Sequence, residues 1–345
     1  MSTITIVGAG MMGSAMSVPA RANLHTVRIV GTPLDREIIE HARATGEHLT
    51  LKRRLPDEIS YYQIEELDSA LAGADLLVCG VSSFGLDWFI ENIIPKIPES
   101  LPVLSVTKGM MNIGEGRLIS YPEVFEASTK KKISFNAIGG PCTSYELADR
   151  DPTVVTFCGR DISTLRWIKS LFETDFYHIS LSTDVRGVEC AVALKNAYAL
   201  GVCLAIGLSY RRQGREFEHY NSQAALFGQS VREMSRLLDL CGGRPDNIML
   251  GAGDLYVTVF GGRTRKIGIL LGSGLPFDEA MKKLAGITLE SVVIARRTTT
   301  AVRELIAAGR AAESDFPLIL HVDAIIRCGE PVNIPWRAFE TETII

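Results

Sequence analysis

The chain has 345 residues, of which 46% are hydrophobic and 22% are charged, and its net charge is −4. This composition excludes an intrinsically disordered or collagen-like chain, and the negative balance argues against a protein that binds nucleic acid. No run of about 18 uninterrupted apolar residues occurs, and the N-terminus lacks the basic segment of a secretory signal. The sequence therefore predicts a cytoplasmic protein of about two domains with no membrane-spanning helix.

Short β-branched runs alternate with longer amphipathic stretches in the first half of the chain. The predicted strands are Thr3–Val7, Thr26–Val30, Leu76–Val81, Pro102–Val106, Ser134–Ile138 and Thr153–Cys158. The predicted helices are Met12–Ala22, Leu34–Thr45, Glu65–Ala72 and Asp87–Ile94. This alternation is typical of a parallel sheet covered by helices on both faces. From Ser182 to Gly329 the periodicity is helical, so the second half is predicted to be all helical.

The first strand is followed by a glycine-rich turn, Gly8-Ala9-Gly10-Met11-Met12-Gly13. In this GxGxxG spacing the first glycine allows a tight turn, the second lets the backbone approach a pyrophosphate, and the third lets helix and strand pack closely. We therefore expect a Rossmann-type dinucleotide-binding domain over residues 1–182 and a helical substrate and catalytic domain over residues 183–345. A purely structural glycine turn is the alternative.

The end of the second strand bears on the choice between NADH and NADPH. A site specific for NAD usually carries an acid there, on the ribose 2′-hydroxyl, but Val30 is followed by Gly31 and Thr32, and Asp35 comes several residues late. Arg36 is within reach of a 2′-phosphate in this interpretation. We expect NADPH to be accepted, and the alternative is that Arg36 is a solvated residue at a helix start.

A single lysine stands out in the apolar helical stretch Val185–Leu208. Lys195 shares its helix face with apolar residues, so it must be paired, reach solvent, or have a lowered pKa. A lysine with a lowered pKa can act as a general acid or base. Asn196 lies beside it and can orient a substrate oxygen. The alternative is a structural pair between Lys195 and Glu189.

Two further features follow in the helical half. Asp254 and Thr258 are one helical turn apart, so Asp254 can accept a hydrogen bond from Lys195 or from substrate, with Thr258 on the same face. The segment Gly261-Gly262-Arg263-Thr264-Arg265-Lys266 combines backbone N–H groups with cations, which suits a phosphate. A solvated basic turn is the alternative. The cysteines and histidines show no metal-ligand spacing, and no metal site is expected.

Taken together, these features resemble the NAD(P)-dependent glycerol-3-phosphate dehydrogenase family in its archaeal and bacterial form. The resembling segments lie in family order along nearly the whole chain: Gly8–Gly13, Val106–Gly109, Gly140-Pro141 before Glu146-Leu147, Ala193–Asn196, Asp254-Leu255 and Gly261–Arg263. The resemblance implies an oxidoreductase of glycerophospholipid metabolism that reduces dihydroxyacetone phosphate to sn-glycerol 3-phosphate with NADPH or NADH. It also implies a homodimer.

The resemblance also implies residue roles. Lys195 is implied as the proton donor and acceptor, supported by Lys108, Asp254 and Asn196. The residues implied around the substrate are Lys108, Gly140, Cys142, Asn196, Asp254, Arg263 and Thr264, to which the spacing argument adds Thr258. Besides Gly8, Gly10 and Gly13, the residues implied at the dinucleotide are Met11, Met12, Thr32, Lys108, Ser144, Arg263 and Glu290.

Three positions depart from the bacterial pattern. Cys142 replaces Thr or Ser, Thr264 replaces Asn, and Thr288-Leu289-Glu290 replaces a Val-Val-Glu-like run. The first two changes fall on the substrate, which leaves open a dehydrogenase of the same fold acting on another polyol phosphate or on a sugar acid. A non-catalytic NAD(P)-sensing protein is a more distant alternative, because a sensor does not need a proton donor such as Lys195.

Overall fold

The structure, a computed structural model, describes residues 1–214, 217–287 and 289–342. Its contacts divide the chain into two compact units. Unit 1 consists of Met1–Gly109 and Ser120–Glu189, and unit 2 consists of Met110–Ile119 and Cys190–Ile345. The division after Glu189 comes later than the boundary predicted at residue 182, and no sequence signal predicted that the segment Met110–Ile119 groups with unit 2.

Unit 1 is built on an eight-stranded sheet with the strand order β10-β9-β8-β5-β4-β1-β2-β3. The strands are β1 Thr3–Val7, β2 Thr26–Val30, β3 Ile59–Tyr62, β4 Leu76–Cys79, β5 Val103–Ser105, β8 Phe135–Gly139, β9 Thr153–Cys158 and β10 Tyr177–Ser182. Strands β1 to β3 fill one half of the sheet, and the chain then begins the other half with β4, which lies beside β1 and is parallel to it. The carboxyl ends of these two strands therefore form the switch point at which dinucleotides bind in such sheets.

The sheet is parallel from β3 to β8 and changes direction at β9. Strand β9 is antiparallel to β8 and β10 is parallel to β9, so the predicted parallel sheet is confirmed for six of the eight strands, and the two strands at this edge run the opposite way. The composition of an apolar β-branched strand such as β9 does not indicate whether it pairs parallel or antiparallel, because burial on both faces determines that composition in either case.

Helices pack on this sheet as the alternation predicted. Those of the first 189 residues are α1 Met11–Ala15, α2 Ser17–Ala22, α3 Arg36–Thr45, α4 Leu67–Leu71, α5 Leu86–Asn92, α6 Tyr121–Ala127, α7 Ser144–Ala148, α8 Ile162–Phe172 and the start of α9 Val185–Ala193. The single helix predicted over Met12–Ala22 is interrupted at Met16. Pro19 explains the interruption, because it has no N–H to donate to the carbonyl of Ala15 and its ring crowds that turn.

Unit 2 is helical apart from a two-stranded sheet, β6 Met110–Asn112 with β7 Leu118–Ser120. Its helices are α10 Lys195–Gln213, α11 Tyr220–Leu240, α12 Ile248–Val259, α13 Gly262–Gly272, α14 Phe277–Lys283, α15 Glu290–Ala307 and α16 Pro317–Cys328. The Glu304 carboxylate on α15 accepts from the Asn112 amide at 3.0 Å and from the Gly116 N–H at 2.7 Å. These two hydrogen bonds attach the small sheet to α15.

Helix α10 forms the centre of unit 2 and is apolar nearly all round, as predicted. It approaches α13 closely, since a Cβ at Gly207 would lie 2.3 Å from the carbonyl oxygen of Ile269. By length and composition alone, the stretch Val185–Gln213 could cross a membrane, since an 18-residue window of it has a mean hydropathy of 1.7. However, 83% of that window is buried within the protein. Such burial is typical of a core helix.

A buried carboxylate joins two helices of unit 2. Glu233 on α11 is fully buried and accepts from the N–H groups of Leu318 at 2.7 Å and Ile319 at 3.0 Å, at the start of α16. The Gln229 amide donates to it at 2.8 Å. Burial raises the pKa of Glu233 to about 7, and these hydrogen bonds oppose the rise only in part.

We expect the free energy of unfolding to fall as pH rises through the range in which Glu233 ionises. An unfolded glutamate releases its proton near 4.5 while the folded one keeps it to about 7, so the folded state holds the extra proton between these values. In wild type this fall in the free energy of unfolding amounts to up to about 3 kcal/mol, and Glu233→Gln should remove it. Urea unfolding at pH values from about 5 to about 8 measures it, with the exposed Glu91→Gln as control. Parallel pH profiles for wild type and Glu233→Gln would contradict the assignment.

Candidate active site

The glycine-rich turn lies at the carboxyl ends of β1 and β4, and its first and third glycines are required by the protein itself. Gly8 has a φ of +108°, and a Cβ there would lie 2.7 Å from the backbone carbon of Gly80. A Cβ at Gly13 would lie 2.4 Å from the Gly8 carbonyl oxygen. At both positions a Cβ would overlap backbone atoms, so neither position can hold a side chain.

Gly10 differs from these two glycines. Its φ of −68° is ordinary, and among the described residues, chain neighbours apart, a Cβ there would have only one neighbour within 4 Å, the Gly80 carbonyl oxygen at 3.7 Å. The protein alone therefore leaves room for a side chain at Gly10. A glycine that packing does not require, at the start of α1 with Met11 and Met12 in the first turn, fits a site where a pyrophosphate approaches the backbone.

The end of β2 differs from the sequence interpretation. Asp35 does not extend from the turn, because its Oδ2 accepts from the Thr32 N–H at 2.8 Å and the Thr32 hydroxyl at 2.7 Å. Arg36 forms an exposed ion pair with Glu65, the arrangement expected of a solvated helix-start residue. The expectation that Arg36 reaches a 2′-phosphate thus has no support from its position, whereas Thr32 stands at the strand end as predicted.

Two more predicted residues meet at the same edge of unit 1. Lys108 follows β5 and Gly140 follows the neighbouring parallel strand β8, and the Lys108 ammonium donates to the Gly140 carbonyl at 2.6 Å. Gly140 has a φ of +113°. Cys142 is half-buried just beyond it, and Ser144 is buried at the first position of α7. Lys108, Gly140, Cys142 and Ser144 therefore share the edge that carries the glycine turn.

The predicted catalytic residues of unit 2 are also in contact. The Lys195 ammonium is paired with the Asp254 carboxylate. The Lys195 side chain is 14% exposed and that of Asp254 is fully buried. Helix α9 ends at Ala193, and Leu194 separates it from α10, so Lys195 and half-buried Asn196 open a new helix rather than continuing one.

The remaining substrate candidates follow Asp254 along the chain. Thr258, one turn later on α12, donates its hydroxyl to the Asp254 carbonyl at 2.7 Å. Arg263 and Thr264 lie in the first turn of α13, with Arg263 exposed and Thr264 buried. A Cβ at Gly261 would meet no atom within 4 Å in the described part of the chain, its chain neighbours apart, so the described residues leave the approach to this helix start open.

The two arginines in the first turn of α13, Arg263 and Arg265, have different surroundings. Arg265 donates to the Glu218 carboxylate at 2.8 Å and to the Val259 carbonyl at 3.2 Å, so this guanidinium is held inside unit 2. Arg263 remains as the exposed cation of the first turn, and the sequence pattern does not distinguish the two arginines.

Glu290 is half-buried at the first position of α15. Thr288, one of the departures from the bacterial pattern, lies outside the described residues. Among residues 1–214, 217–287 and 289–342, no three His, Cys, Asp or Glu side chains are grouped so that they could hold a metal ion.

Comparison with known proteins identifies the family. The N-terminal model of NAD-dependent glycerol-3-phosphate dehydrogenase matches residues 3–164, and the C-terminal model matches residues 184–335. The chain belongs to this dehydrogenase family. It is accordingly an NAD(P)-dependent oxidoreductase that acts on a CH–OH group, with NAD(P)H as its cofactor.

Relatives of this dehydrogenase family match most of the chain. The NADP(+)-dependent glycerol-3-phosphate dehydrogenase of Archaeoglobus fulgidus is 34% identical over 284 residues, 81% of this chain and 83% of that protein. The glycerol-3-phosphate dehydrogenase [NAD(P)+] of Shouchella clausii is 30% identical over 322 residues, 92% of this chain and 89% of that protein.

Solved structures of glycerol-3-phosphate dehydrogenases share the fold. The enzyme from Coxiella burnetii superposes with a TM-score of 0.80 at 23% identity, and the match covers 98% of this chain and 97% of that one. The α/β unit followed by a helical unit is therefore the architecture of the family, as the sequence predicted.

One buried residue beside the glycine turn was missed by sequence reasoning. His48 is fully buried, and its Nε2 lies 2.8 Å from the Ala9 carbonyl oxygen. A single histidine in a short loop carries no motif, and its neighbours Glu47 and Leu49 form no apolar run, so nothing in the sequence predicted its burial.

Proposed function

We propose that this enzyme transfers a hydride between NAD(P)H and the ketone of dihydroxyacetone phosphate, giving sn-glycerol 3-phosphate, with Lys195 as the general acid and base. One observation carries the proposal: Lys195 begins α10 in contact with the fully buried Asp254. A lysine whose ammonium is held by a buried carboxylate is an oriented proton donor.

When bound, the cofactor supplies the hydride, and the residues of this chain handle the proton and the geometry. In the reduction, the Lys195 ammonium donates a proton to the alkoxide that develops on the substrate oxygen. Asp254 holds the Lys195 ammonium in place, and Asn196, next on the same helix, offers an amide donor to a substrate oxygen. Donors that are already oriented stabilise developing charge without reorganisation. In the reverse reaction Lys195 accepts the proton.

The phosphate end of the substrate is assigned to the start of α13. Arg263 is exposed in the first turn of this helix, beside the open approach at Gly261. A guanidinium binds phosphate through two parallel hydrogen bonds, and the N–H groups of a helix start add to the attraction. The buried Thr264 adds a hydroxyl where an asparagine would add an amide.

The fixed guanidinium also suits a carboxylate, so the runner-up is a dehydrogenase of another polyol phosphate or of a sugar acid. The departures at Cys142 and Thr264 motivate this second candidate. The test is a screen of ketone substrates against the wild-type enzyme, following oxidation of NADPH and of NADH. We expect dihydroxyacetone phosphate to give the highest kcat/KM with both cofactors. A sugar-derived ketone acid turned over far better would overturn the assignment.

We expect Arg263→Ala to raise KM for dihydroxyacetone phosphate with little change in kcat. A charge-assisted hydrogen bond is worth about 1.5–3 kcal/mol, which corresponds to roughly 10- to 150-fold in KM, and the phosphate is bound equally in the ground and transition states. Initial-rate kinetics measure the two parameters. Arg297→Ala, which changes an arginine on α15 instead of α13, is the control. Thr264→Asn should leave the activity unchanged or raise it. Loss of activity in Thr264→Asn, with poor turnover of dihydroxyacetone phosphate by both forms, would favour the sugar-acid alternative.

The partners and the compartment belong to the same proposal. We propose a phosphorylated small-molecule substrate, a homodimer, a cytoplasmic location, and use of NADPH at least comparable to use of NADH. The cofactor proposal rests on Gly31 and Thr32, which directly follow β2 at the place where an NAD-specific site usually carries an acid, and not on Arg36. A preference for NADH of about a hundredfold, equal to about 2.7 kcal/mol, would contradict it.

A further inference from the structure

The peptide groups on either side of Ala9, inside the glycine-rich turn, are held by residues distant in sequence. The Ala9 N–H donates to Oδ2 of Asp35 at 3.2 Å, and the Ala9 carbonyl oxygen lies 2.8 Å from Nε2 of His48. Neither Asp35 nor His48 belongs to the GxGxxG pattern. Two side chains outside the turn therefore fix its backbone.

Only one tautomer of His48 fits its contacts. Its Nδ1 accepts from the backbone N–H groups of Leu51 at 3.0 Å and Thr50 at 3.2 Å, so the proton is on Nε2, which donates to the Ala9 carbonyl. Burial also lowers the pKa of His48, which favours this neutral form. The loop that carries His48 thus makes it a permanent donor to the turn.

Asp35 is also held in place by several hydrogen bonds. The Oδ2 that accepts from Ala9 also accepts both hydrogen bonds of Thr32, at 2.7 and 2.8 Å. Because Thr32 closely follows β2, the carboxylate links the end of β2 to the turn after β1. The position of the Ala9 N–H is therefore tied to the sheet.

These contacts determine where the Gly10 N–H points. A trans peptide is planar, so the Gly10 N–H points away from the Ala9 carbonyl and hence away from His48. Gly10 is also the position where a Cβ would meet only the Gly80 carbonyl oxygen within 4 Å. The N–H group that is fixed by His48 thus belongs to the glycine that leaves room for a ligand.

We propose that Asp35 and His48 are positioning residues for the dinucleotide, which hold the peptides around Ala9 in the orientation that receives the pyrophosphate before the cofactor binds. A turn ordered in advance avoids the entropic cost of ordering it on binding. This role concerns the cofactor that the family uses and is independent of the identity of the substrate.

Charge allows this role to be separated from a purely electrostatic one. The pyrophosphate is anionic, so a carboxylate in contact with the turn repels it. If Asp35 acted through its charge alone, Asp35→Ala would tighten cofactor binding. If Asp35 holds Ala9, the same substitution removes the acceptor, loosens the turn and weakens binding. The two roles predict opposite signs.

The first experiment measures the Kd of NADH and of NADPH by calorimetry on the full-length protein. Asp35→Ala should weaken both about tenfold, the loss of roughly one hydrogen bond. Asp35→Asn keeps an acceptor oxygen and loses the charge, so it should bind as well as wild type or more tightly. The proposal is overturned if Asp35→Ala binds as tightly as wild type or if Asp35→Asn weakens binding as much as Asp35→Ala.

The second experiment separates the hydrogen bond of His48 from general loosening of its loop. His48→Leu removes the donor and should weaken NADH binding about tenfold, while His48→Gln offers an amide N–H and should restore part of it. The control is Leu51→Ala, a fully buried residue of the same loop, which should lower Tm with Kd within about threefold of wild type. Equal losses of affinity in Leu51→Ala and His48→Leu would show that loop packing alone matters. If His48→Leu does not fold, the Asp35 variants still decide the proposal.

Discussion

Replacing Lys195 with Ala should lower kcat by about a hundredfold or more, because general acid catalysis is lost. The affinity for NADPH should change little, since the glycine-rich turn that receives the pyrophosphate lies in unit 1 and Lys195 in unit 2. Steady-state kinetics with dihydroxyacetone phosphate and calorimetry with NADPH measure the two effects separately. Near-wild-type turnover by the Ala variant would contradict the assignment.

Stability complicates this experiment, because Asp254 is fully buried and Lys195 is its ion-pair partner. Removing one member of a buried pair costs about 3–5 kcal/mol, since the other charge is left uncompensated. Lys195→Met fills the apolar surroundings without a proton to donate. The double variant Lys195→Met with Asp254→Asn removes both charges, so it should recover most of the lost Tm while kcat stays low. Lys282→Ala, an exposed lysine of α14, is the control and should keep full activity.

The central strands of the sheet were predictable from the sequence because they are buried on both faces. Strands β1, β2 and β9 have the predicted bounds, since β-branched runs bounded by polar residues mark such strands. Within this sheet the missed strands are β3 and β10, which form its two edges, and the separate pair β6 and β7 was also missed. An edge strand is covered on fewer sides, and the alternating buried and exposed positions of β10 show why no continuous apolar run announced it.

The sequence pointed to candidate site residues where one residue type answers one chemical need. Lys195 in an apolar stretch and the glycine turn were proposed on this ground, and the structure places Asp254 in contact with Lys195. The Asp35 and His48 contacts with Ala9 were not predictable, because they join residues 26 and 39 positions apart through loop geometry with no sequence periodicity. The pairing of Arg36 with Glu65 was not predictable for the same reason, because the two residues are 29 positions apart.

Replacing Gly10 with Val should abolish NADH and NADPH binding while leaving the protein folded. The backbone of Gly10 has an ordinary φ of −68°, and a Cβ there meets only the Gly80 carbonyl oxygen, at 3.7 Å. The branched side chain would instead fill the space that a pyrophosphate needs at the backbone. Calorimetry should detect no binding, while the thermal midpoint should lie within about 4 °C of wild type, equivalent to less than roughly 3 kcal/mol for a chain of this size.

The other two glycines of the turn provide the contrast that makes this result specific. Gly8→Ala forces a Cβ to 2.7 Å from the Gly80 backbone at a φ of +108°, and Gly13→Ala forces one to 2.4 Å from the Gly8 carbonyl oxygen. Both should therefore lower Tm by more than Gly10→Val does, because backbone must move to admit the methyl group. Unchanged nucleotide affinity in Gly10→Val would contradict the assignment of this turn to the pyrophosphate. A large loss of Tm in Gly10→Val would instead mean that packing, and not ligand approach, requires the second glycine.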